Sequence, residues 1–420
     1  MPDEDNNTNP KMLVLYNIGI TLYYVLVYVA SLYKNKAKLW IKGRRLQQVQ
    51  PLKSSIWFHF ASLGEFEQGR PVLEAVKHEY PQHAIVITFF SPSGYEARKN
   101  TPLANAVYYL PLDRAANAQK FISAINPVMA IFTKYEYWYH FFNQLHKQHV
   151  PLYIISGIFR PGQVFFKWYG GLHRKMLKLV TWFFVQDIPS KHLLHNVGIT
   201  NVTISGDTRF DRVWANAQQP KELPEIAAFK NGQKLFIAGS TWPADEKLIA
   251  GLITQHPDWK FIIAPHEIGE DKVSRLVNIL PKETTLRFSQ ISHLNPDSYR
   301  DHVSHLIIDN IGMLSSLYQY ADIAYIGGGF GAGIHNTLEA AAFGMPVIFG
   351  PKYDKFKEAR DLVELKGGFS IDSQDKLNAV AGLLMNDEDT RHASAVIAKN
   401  YVEQNIGATE AIRKYIKERH

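Results

Sequence analysis

Three glutamates in this chain stand beside turns, where a carboxylate can take a proton from a hydroxyl or hold the hydroxyls of a sugar. Glu65 ends Phe60-Ala61-Ser62-Leu63-Gly64-Glu65, in which an apolar run stops, Gly64 allows a tight turn and a helix begins. A base reaching a ligand and an acid complementing the helix dipole both suit that place. Glu136 lies among aromatics in Thr133-Lys134-Tyr135-Glu136-Tyr137-Trp138, a setting suited to sugar hydroxyls or to a solvated loop acid. Glu339 follows a glycine-rich loop, three residues after Asn336 and so on the same helix face. It can hold the two hydroxyls of a nucleotide ribose, or lie on a solvated face of a tight turn.

That glycine-rich stretch is the densest signal in the chain: Ile326–Pro351 reads IGGGFGAGIHNTLEAAAFGMPVIFGP. Gly327, Gly328, Gly329, Gly331 and Gly333 remove side chains, so the backbone can turn and a ligand can approach it. Asn336 is placed to cap the next helix, which Gly344-Met345-Pro346 ends. Strand, glycine loop, helix, strand is a nucleotide-handling layout. No acid follows a G-x-G-x-x-G at the spacing that nicotinamide binding requires. Gly239-Ser240-Thr241, before a helix starting at Pro243, suits a phosphate or plain capping. Arg209, within Gly206-Asp207-Thr208-Arg209-Phe210-Asp211, suits a carboxylate or phosphate, or an ion pair with Asp207 or Asp211. His266 draws interest only by its place after a strand. P-loop and nucleophile-elbow motifs are absent. Asp387-Glu388-Asp389 reads as a solvated turn rather than a metal site, so no metal is expected.

These turns must be positioned by strands. Apolar runs at Ile56–Phe60, Ala84–Phe89, Val107–Leu110, Val128–Phe132, Leu152–Ile155, Trp182–Val185 and Val202–Ile204 alternate with helical patterns. After a polar break at Gln218–Pro224 the alternation restarts through Lys234–Ala238, Trp259–Ala264, Leu306–Ile308, Ile323–Ile326 and Val347–Phe349. Alternating β and α elements imply mainly parallel sheets covered on both faces. The expected architecture is α/β, with two similar Rossmann-like domains and a cleft between them. Chain length agrees: 420 residues suit two domains plus extras, and 46% apolar residues supply the cores. Cysteine is absent, which excludes disulfides, thiol nucleophiles and thiolate metal sites. The net charge of +7 is modest and gathers near the N-terminus, so it argues for an acidic surface there and not for nucleic acid.

Met12–Tyr33 has no charged residue, is long enough to span a hydrocarbon core, and carries five tyrosines plus Asn17 and Thr21. Lys34, Lys36, Lys38, Lys42, Arg44 and Arg45 follow it, and Asp3, Glu4 and Asp5 precede it. The charge order opposes a cleaved signal peptide and sets the bulk of the protein on the cytoplasmic side of a membrane. The expected division is residues 1–47 as anchor and basic collar, 48–216 as acceptor domain, 225–395 as donor domain, and 396–420 as a C-terminal helix able to return to the first domain.

Taken together, the ordered motifs resemble the 3-deoxy-D-manno-octulosonic acid (Kdo) transferases of lipopolysaccharide assembly, a glycosyltransferase family of GT-B fold. That family's H-A-x-S-x-G-E corresponds to His59-Phe60-Ala61-Ser62-Leu63-Gly64-Glu65, and its E-T-E-L-W-P to Lys134-Tyr135-Glu136-Tyr137-Trp138-Tyr139. Its G-N-x-K-F-D corresponds to Gly206–Asp211, its A-G-S-T-x-x-x-E-E to Ala238–Thr241 with Asp245-Glu246, and its G-G-H-N-x-L-E to Gly333–Glu339. The chain departs from the family at Lys134, at Pro265-His266-Glu267 in place of P-R-H, and at Gly312-Met313-Leu314 in place of G-E-L.

The resemblance implies inverting transfer of Kdo from CMP-Kdo to a lipid A precursor (lipid IVA) at the inner membrane, with no cofactor and no nucleic-acid partner. It implies Glu65 as the catalytic base. It assigns donor contacts to Arg209, Ser240, Thr241, Pro265, His266, Gly312, Met313, Gly328, Gly329, Asn336 and Glu339. Acceptor contacts fall to Ser62, Gly64, Ser91, Ser93 and Glu136. CMP is a good leaving group, so a metal is dispensable. The competing expectations are a GT-B transferase using a UDP-sugar and a membrane-anchored nucleotide-binding scaffold without catalysis.

Overall fold

The computed structural model describes residues 10–420. Its contacts divide them into two units, the first running to Arg212 and taking in Ile406–His420, the second being Val213–Asn405. The division falls inside the helix Thr208–Gln218, ahead of the polar break that the sequence suggested. Its first turn is tied to the first unit by the Thr208 and Ser156 hydroxyls, 2.8 Å apart.

In the first unit β1 (Ser55–Phe60), β2 (Ala84–Phe89), β3 (Ala106–Tyr109), β4 (Pro127–Thr133), β5 (Leu152–Gly157), β6 (Trp182–Val185) and β7 (Val202–Ile204) form one sheet in the order β3-β2-β1-β4-β5-β6-β7. Every pairing is parallel. All six residues of β1 are buried, as a strand covered by helices on both faces must be. Two apolar clusters lie on the two faces, one around Trp57, Phe121 and Phe141, the other around Phe60, Phe66 and Phe89.

The second unit repeats the plan. β8 (Leu235–Thr241), β9 (Lys260–Pro265), β10 (Thr285–Arg287), β11 (His305–Ile307), β12 (Ile323–Ile326), β13 (Val347–Phe349) and β14 (Gly368–Ser370) are ordered β10-β11-β9-β8-β12-β13-β14, again all parallel. β10 and β14 were not legible as apolar runs. Each is a three-residue outer strand, TLR and GFS, too short and too polar to stand out. In both sheets the winding reverses beside the first strand, between β1 and β4 and between β8 and β12. Crevices beyond the carboxyl ends at such reversals are where doubly wound sheets take ligands.

The apolar N-terminal segment is the helix α1, Pro10–Ala30, followed by α2, Asn35–Leu46. α1 is long and apolar enough to cross a membrane. Its polar residues nevertheless meet the first unit. Tyr16 Oη donates to Asp113, Asn17 Oδ1 lies 2.7 Å from His140 Nε2, and Arg114 donates to Thr21 Oγ1 at 3.3 Å. Leu15, Ile18, Leu22 and Leu26 remain 57–61% exposed. The basic collar is not uniform either. Arg44 donates to the Leu110 and Phe90 carbonyls and lies over the Trp40 ring, whereas Lys34, Lys36, Lys38, Lys42 and Arg45 are exposed.

The helix Ala408–Lys417 closes the first unit. Asp211 accepts hydrogen bonds from the Gly407 and Thr409 amides, and Ile412 and Ile416 enter the cluster around Phe60. Replacing Ile412 or Ile416 with Ala leaves a cavity that costs about 2–4 kcal/mol each. Lys414→Ala, on the exposed side of the same helix, should change stability by less than about 0.5 kcal/mol. Urea unfolding followed by the fluorescence of Trp182, whose ring packs 4.6 Å from Tyr415, reads both. Equal midpoints for the three variants would show that this helix is not part of the core.

Candidate functional site

The residues assigned from the sequence gather at two rims, one at the carboxyl end of each sheet. In the first unit β1 ends at Phe60 and the helix α3 (Leu63–Glu79) starts three residues later, which puts Glu65 in its first turn. Glu65 is half-buried and accepts a hydrogen bond from Ser62. β4, across the reversal, leads into Lys134–Trp138.

There Glu136 Oε2 meets His59 Nε2 at 3.2 Å and the Trp138 indole N–H at 3.0 Å. His59 is fully buried, with Nδ1 at 2.8 Å from Thr88 Oγ1, which itself accepts from the Trp57 indole at 2.8 Å. If Thr88 donates to Nδ1, the ring carries its proton on Nε2 and donates it to Glu136. The acid that a local reading left as a solvated loop side chain is thus fixed from below by a buried imidazole. His59 was quoted in a motif but given no role, because its partner is 77 residues away.

Arg209 belongs to the first unit, and the other residues assigned to the donor to the second. Its guanidinium pairs with Asp207 at 2.8 Å, the plainer of the readings its sequence allowed. Burial alone would raise the Asp207 carboxyl. Arg209 beside it, its hydrogen bonds and Lys134 outweigh burial and hold it below the usual carboxylate range. The Tyr135 hydroxyl is pushed up first by burial, then by Glu65 and Asp207, and pulled down by Arg160 and Arg209. These five side chains therefore share one electrostatic neighbourhood. Tyr135 and Arg160 carried no signal of their own in the sequence. Ser91 and Ser93 flank the start of the helix α4 (Pro92–Arg98), their hydroxyls 2.8 Å apart.

In the second unit the rim is built around a buried carboxylate. Asp245, 0% exposed, accepts from the Tyr325 hydroxyl at 2.8 Å, from the Gly328 amide at 2.9 Å and from the Trp242 amide at 2.9 Å. It thereby joins the end of β8, the end of β12 and the glycine loop. Gly328 has φ +95°, which a side chain would strain, and a Cβ on Gly329 would come within 2.5 Å of the Gly350 backbone. Ser240 adopts φ +54°, an uncommon conformation for a residue other than glycine. Thr241 is buried.

Asn336 is fixed at both ends of its amide: Oδ1 accepts from the Leu338 amide at 3.1 Å and Nδ2 donates to Glu339 at 3.0 Å. The helix that follows is only Leu338–Ala342. Gly312, at φ +93°, and Met313 precede the short helix Leu314–Leu317. Pro265 ends β9, and the His266 ring beyond it stacks on Trp242 at 4.8 Å and on His335 at 4.4 Å. Trp242 was not among the residues singled out from the sequence. An aromatic after G-S-T reads as ordinary packing until its neighbours are known.

Comparison with known proteins follows the same lines. Residues 36–212 match a family model described as 3-Deoxy-D-manno-octulosonic-acid transferase (kdotransferase). The chain is 26% identical over 382 residues to the 3-deoxy-D-manno-octulosonic acid transferase of Haemophilus influenzae, covering 87% of each. It is 28% identical over 376 residues to the protein of that name from Chlamydia muridarum, covering 86% of this chain and 85% of that one. Among solved structures, UDP-GlcNAc 2-epimerase from Neisseria meningitidis superposes with a TM-score of 0.59 at 14% identity, over 87% of this chain and 100% of that one. That likeness concerns the GT-B-type fold alone. The resemblance first seen in the motifs therefore extends over most of the chain.

Removing the Asp245 carboxylate leaves the Tyr325 hydroxyl and two amides without an acceptor. Asp245→Ala should lower the stability of the second unit by about 3 kcal/mol or more, and Tyr325→Phe, which removes the donor to Oδ1 and keeps the two amides on Oδ2, by about 1–2 kcal/mol. Denaturant unfolding measures both. An Asp245→Ala protein as stable as Tyr325→Phe would remove Asp245 from its organising role.

Proposed function

We propose that this chain, a GT-B glycosyltransferase related to the Kdo transferases, moves Kdo from CMP-Kdo to a hydroxyl of a lipid A precursor at the cytoplasmic face of the inner membrane. One observation carries the reading. Each unit presents a motif of that family at the reversal of its own sheet, Glu65 beside β1 and β4 in the first, and the Asp245-tied glycine loop with Asn336 and Glu339 beside β8 and β12 in the second.

In this mechanism the Glu65 carboxylate takes the proton of the acceptor hydroxyl as its oxygen bonds to the anomeric carbon of Kdo. The bond from that carbon to the phosphate oxygen breaks and CMP leaves with the electron pair, which inverts the anomeric centre. Ser62 orients Glu65 by its hydrogen bond. Glu136, held by His59 and Trp138, and Ser91 and Ser93 receive hydroxyls of the acceptor. In the second unit Asn336 and Glu339 hold the ribose of CMP, and the turns at Ser240, Gly312 and Gly328 bring backbone close to the nucleotide. Arg209 acts through Asp207 at the Glu65 side. No step requires a metal ion.

α1 supplies the attachment. Tyr16, Asn17 and Thr21 bond to the first unit, Met12 and Leu13 pack against its core, and Leu15, Ile18, Leu22 and Leu26 are exposed, so the helix enters the interfacial region of a bilayer with the unit attached, and the exposed lysines of α2 meet acidic headgroups.

Transfer of labelled Kdo and calorimetry with CMP test the chemistry together. Glu65→Gln should keep CMP affinity and lose about 10²–10⁴-fold in turnover. Glu339→Ala should weaken CMP binding by about 1–3 kcal/mol. Glu65→Gln turnover within about tenfold of the native enzyme would transfer the role of base to Glu136.

Attachment is tested on the full chain by changing Leu15, Ile18, Leu22 and Leu26 together to Gln, which spares the contacts of Tyr16, Asn17 and Thr21. The variant should move from the membrane to the soluble fraction in a high-salt wash. Retention in the membrane would place the anchor elsewhere.

A further inference from the structure

Glu136 is joined to the N-terminal helix by aromatic rings. The Trp138 indole N–H donates to Glu136 at 3.0 Å, and the Trp138 ring stacks on Phe90 with centroids 5.1 Å apart. Phe90 lies 6.1 Å from Tyr23 of α1. Behind them the buried Trp40 of α2 is 5.9 Å from Phe90 and 5.9 Å from Tyr23. Three separate pieces of chain, α1 and the segments after β2 and β4, thus give one ring each to a continuous strip.

The strip is braced from below. Arg44 donates to the Phe90 and Leu110 carbonyls at 2.7 and 2.8 Å, and its guanidinium lies 3.7 Å over Trp40 and 5.1 Å from Phe90. Burial weakens its hold on its proton, while Tyr109, Tyr23 and Glu136 strengthen it. Tyr23 and Glu136 therefore both act on this one cation. Rings fixed in this way lose little freedom when a ligand settles on them.

Tyr23 is not explained by packing alone. Tyr16, two turns earlier on the same face, gives its hydroxyl to Asp113, whereas Tyr23 is 42% exposed and donates no hydrogen bond among the described residues. Gly19, one turn before it, leaves open space beside its ring. The exposed Leu22 and Leu26 flank Tyr23 on α1, and Ser91 and Ser93 follow Phe90 at the other end. The strip is thus polar at one end and apolar at the other, and an amphipathic tyrosine suits the place where the two meet.

We infer that Trp138, Phe90 and Tyr23 line the path of an acylated sugar from the bilayer to Glu136, so that α1 is part of the acceptor site as well as an attachment. The acyl chains lie along Leu22 and Leu26, the carbonyl that links chain to sugar accepts from the Tyr23 hydroxyl, and the sugar reaches Ser91, Ser93 and Glu136. The inference rests on the acceptor reading of Glu136 and adds to it the contacts that recognise the chains.

Transfer by the full chain is measured at one fixed detergent concentration, with acceptors of graded acyl length down to the deacylated sugar. Each acceptor enters micelles equally for every variant, so the ratio of KM values between variants isolates the contact. Tyr23→Ala should raise KM about tenfold for the longest chains, the contact of about two methylenes, and less than about twofold for the deacylated sugar, with kcat and CMP affinity unchanged. Tyr23→Phe, which loses only the hydrogen bond to the linkage, should raise KM about threefold for acylated acceptors alone, and decides the question if Tyr23→Ala does not fold. Val14→Gln, exposed and nine positions from Tyr23 on the opposite side of α1, should match the native chain. A KM ratio that is the same for every acceptor, the deacylated sugar included, overturns the inference and leaves the transferase reading standing. Absence of transfer by the native chain to any of these acceptors overturns both.

Discussion

A carboxylate with no cation beside it is costly to bury unless hydrogen bonds replace its water. Asp245 meets that condition with one hydroxyl and two amides, drawn from two pieces of chain, Trp242 and Tyr325–Gly328. The consequence is geometric. The end of β8, the end of β12 and the glycine loop cannot drift apart without stripping the carboxylate of its donors. Everything else at this rim follows from that tie: Gly328 must accept its left-handed backbone, Trp242 is held where its indole reaches His335, and His266 has a surface to lie on.

The first unit uses a related device for a different end. Its buried polar chain, Trp57 to Thr88 to His59 to Glu136, runs through the sheet and finishes at the rim. In the second unit the buried charge organises backbone. In the first a buried hydrogen-bonded chain orients a side chain, leaving Glu136 with only part of its surface in solvent. Glu65 differs from both: it sits in a helix turn with a hydrogen bond from Ser62, and remains half-exposed at the reversal of the sheet. The role of base proposed for Glu65 would benefit from that access, while groups that shape a site benefit from burial.

α1 shows how one residue pattern can serve two surroundings. Tyrosines, an asparagine and a threonine dilute what would otherwise be a plain apolar span. Their partners Asp113, His140 and Arg114 belong to the folded unit, where Met12 and Leu13 also pack, while Leu15, Ile18, Leu22 and Leu26 stay exposed. Arg44, similarly, looks like one more charge in a basic run but folds back onto Trp40 and two carbonyls.

Local sequence alone determined the alternation of strands and helices, the doubly wound class, the glycine loop and the place of Glu65. Parallel strands buried on both faces must be written as apolar runs, and turns at their ends need glycine or a short polar residue, so these features depend on neighbours in the chain. Only the tertiary structure decided the rest. Asp245 meets Tyr325 and Gly328 across 80 and 83 positions, His59 meets Glu136 across 77, and Trp242 meets His335 across 93. The three-residue outer strands β10 and β14, and the division of the chain within the helix Thr208–Gln218, were settled the same way. A hydrogen bond or a ring contact depends on distance in space, and no periodicity along the chain encodes which of many polar side chains will be brought within 3 Å of another.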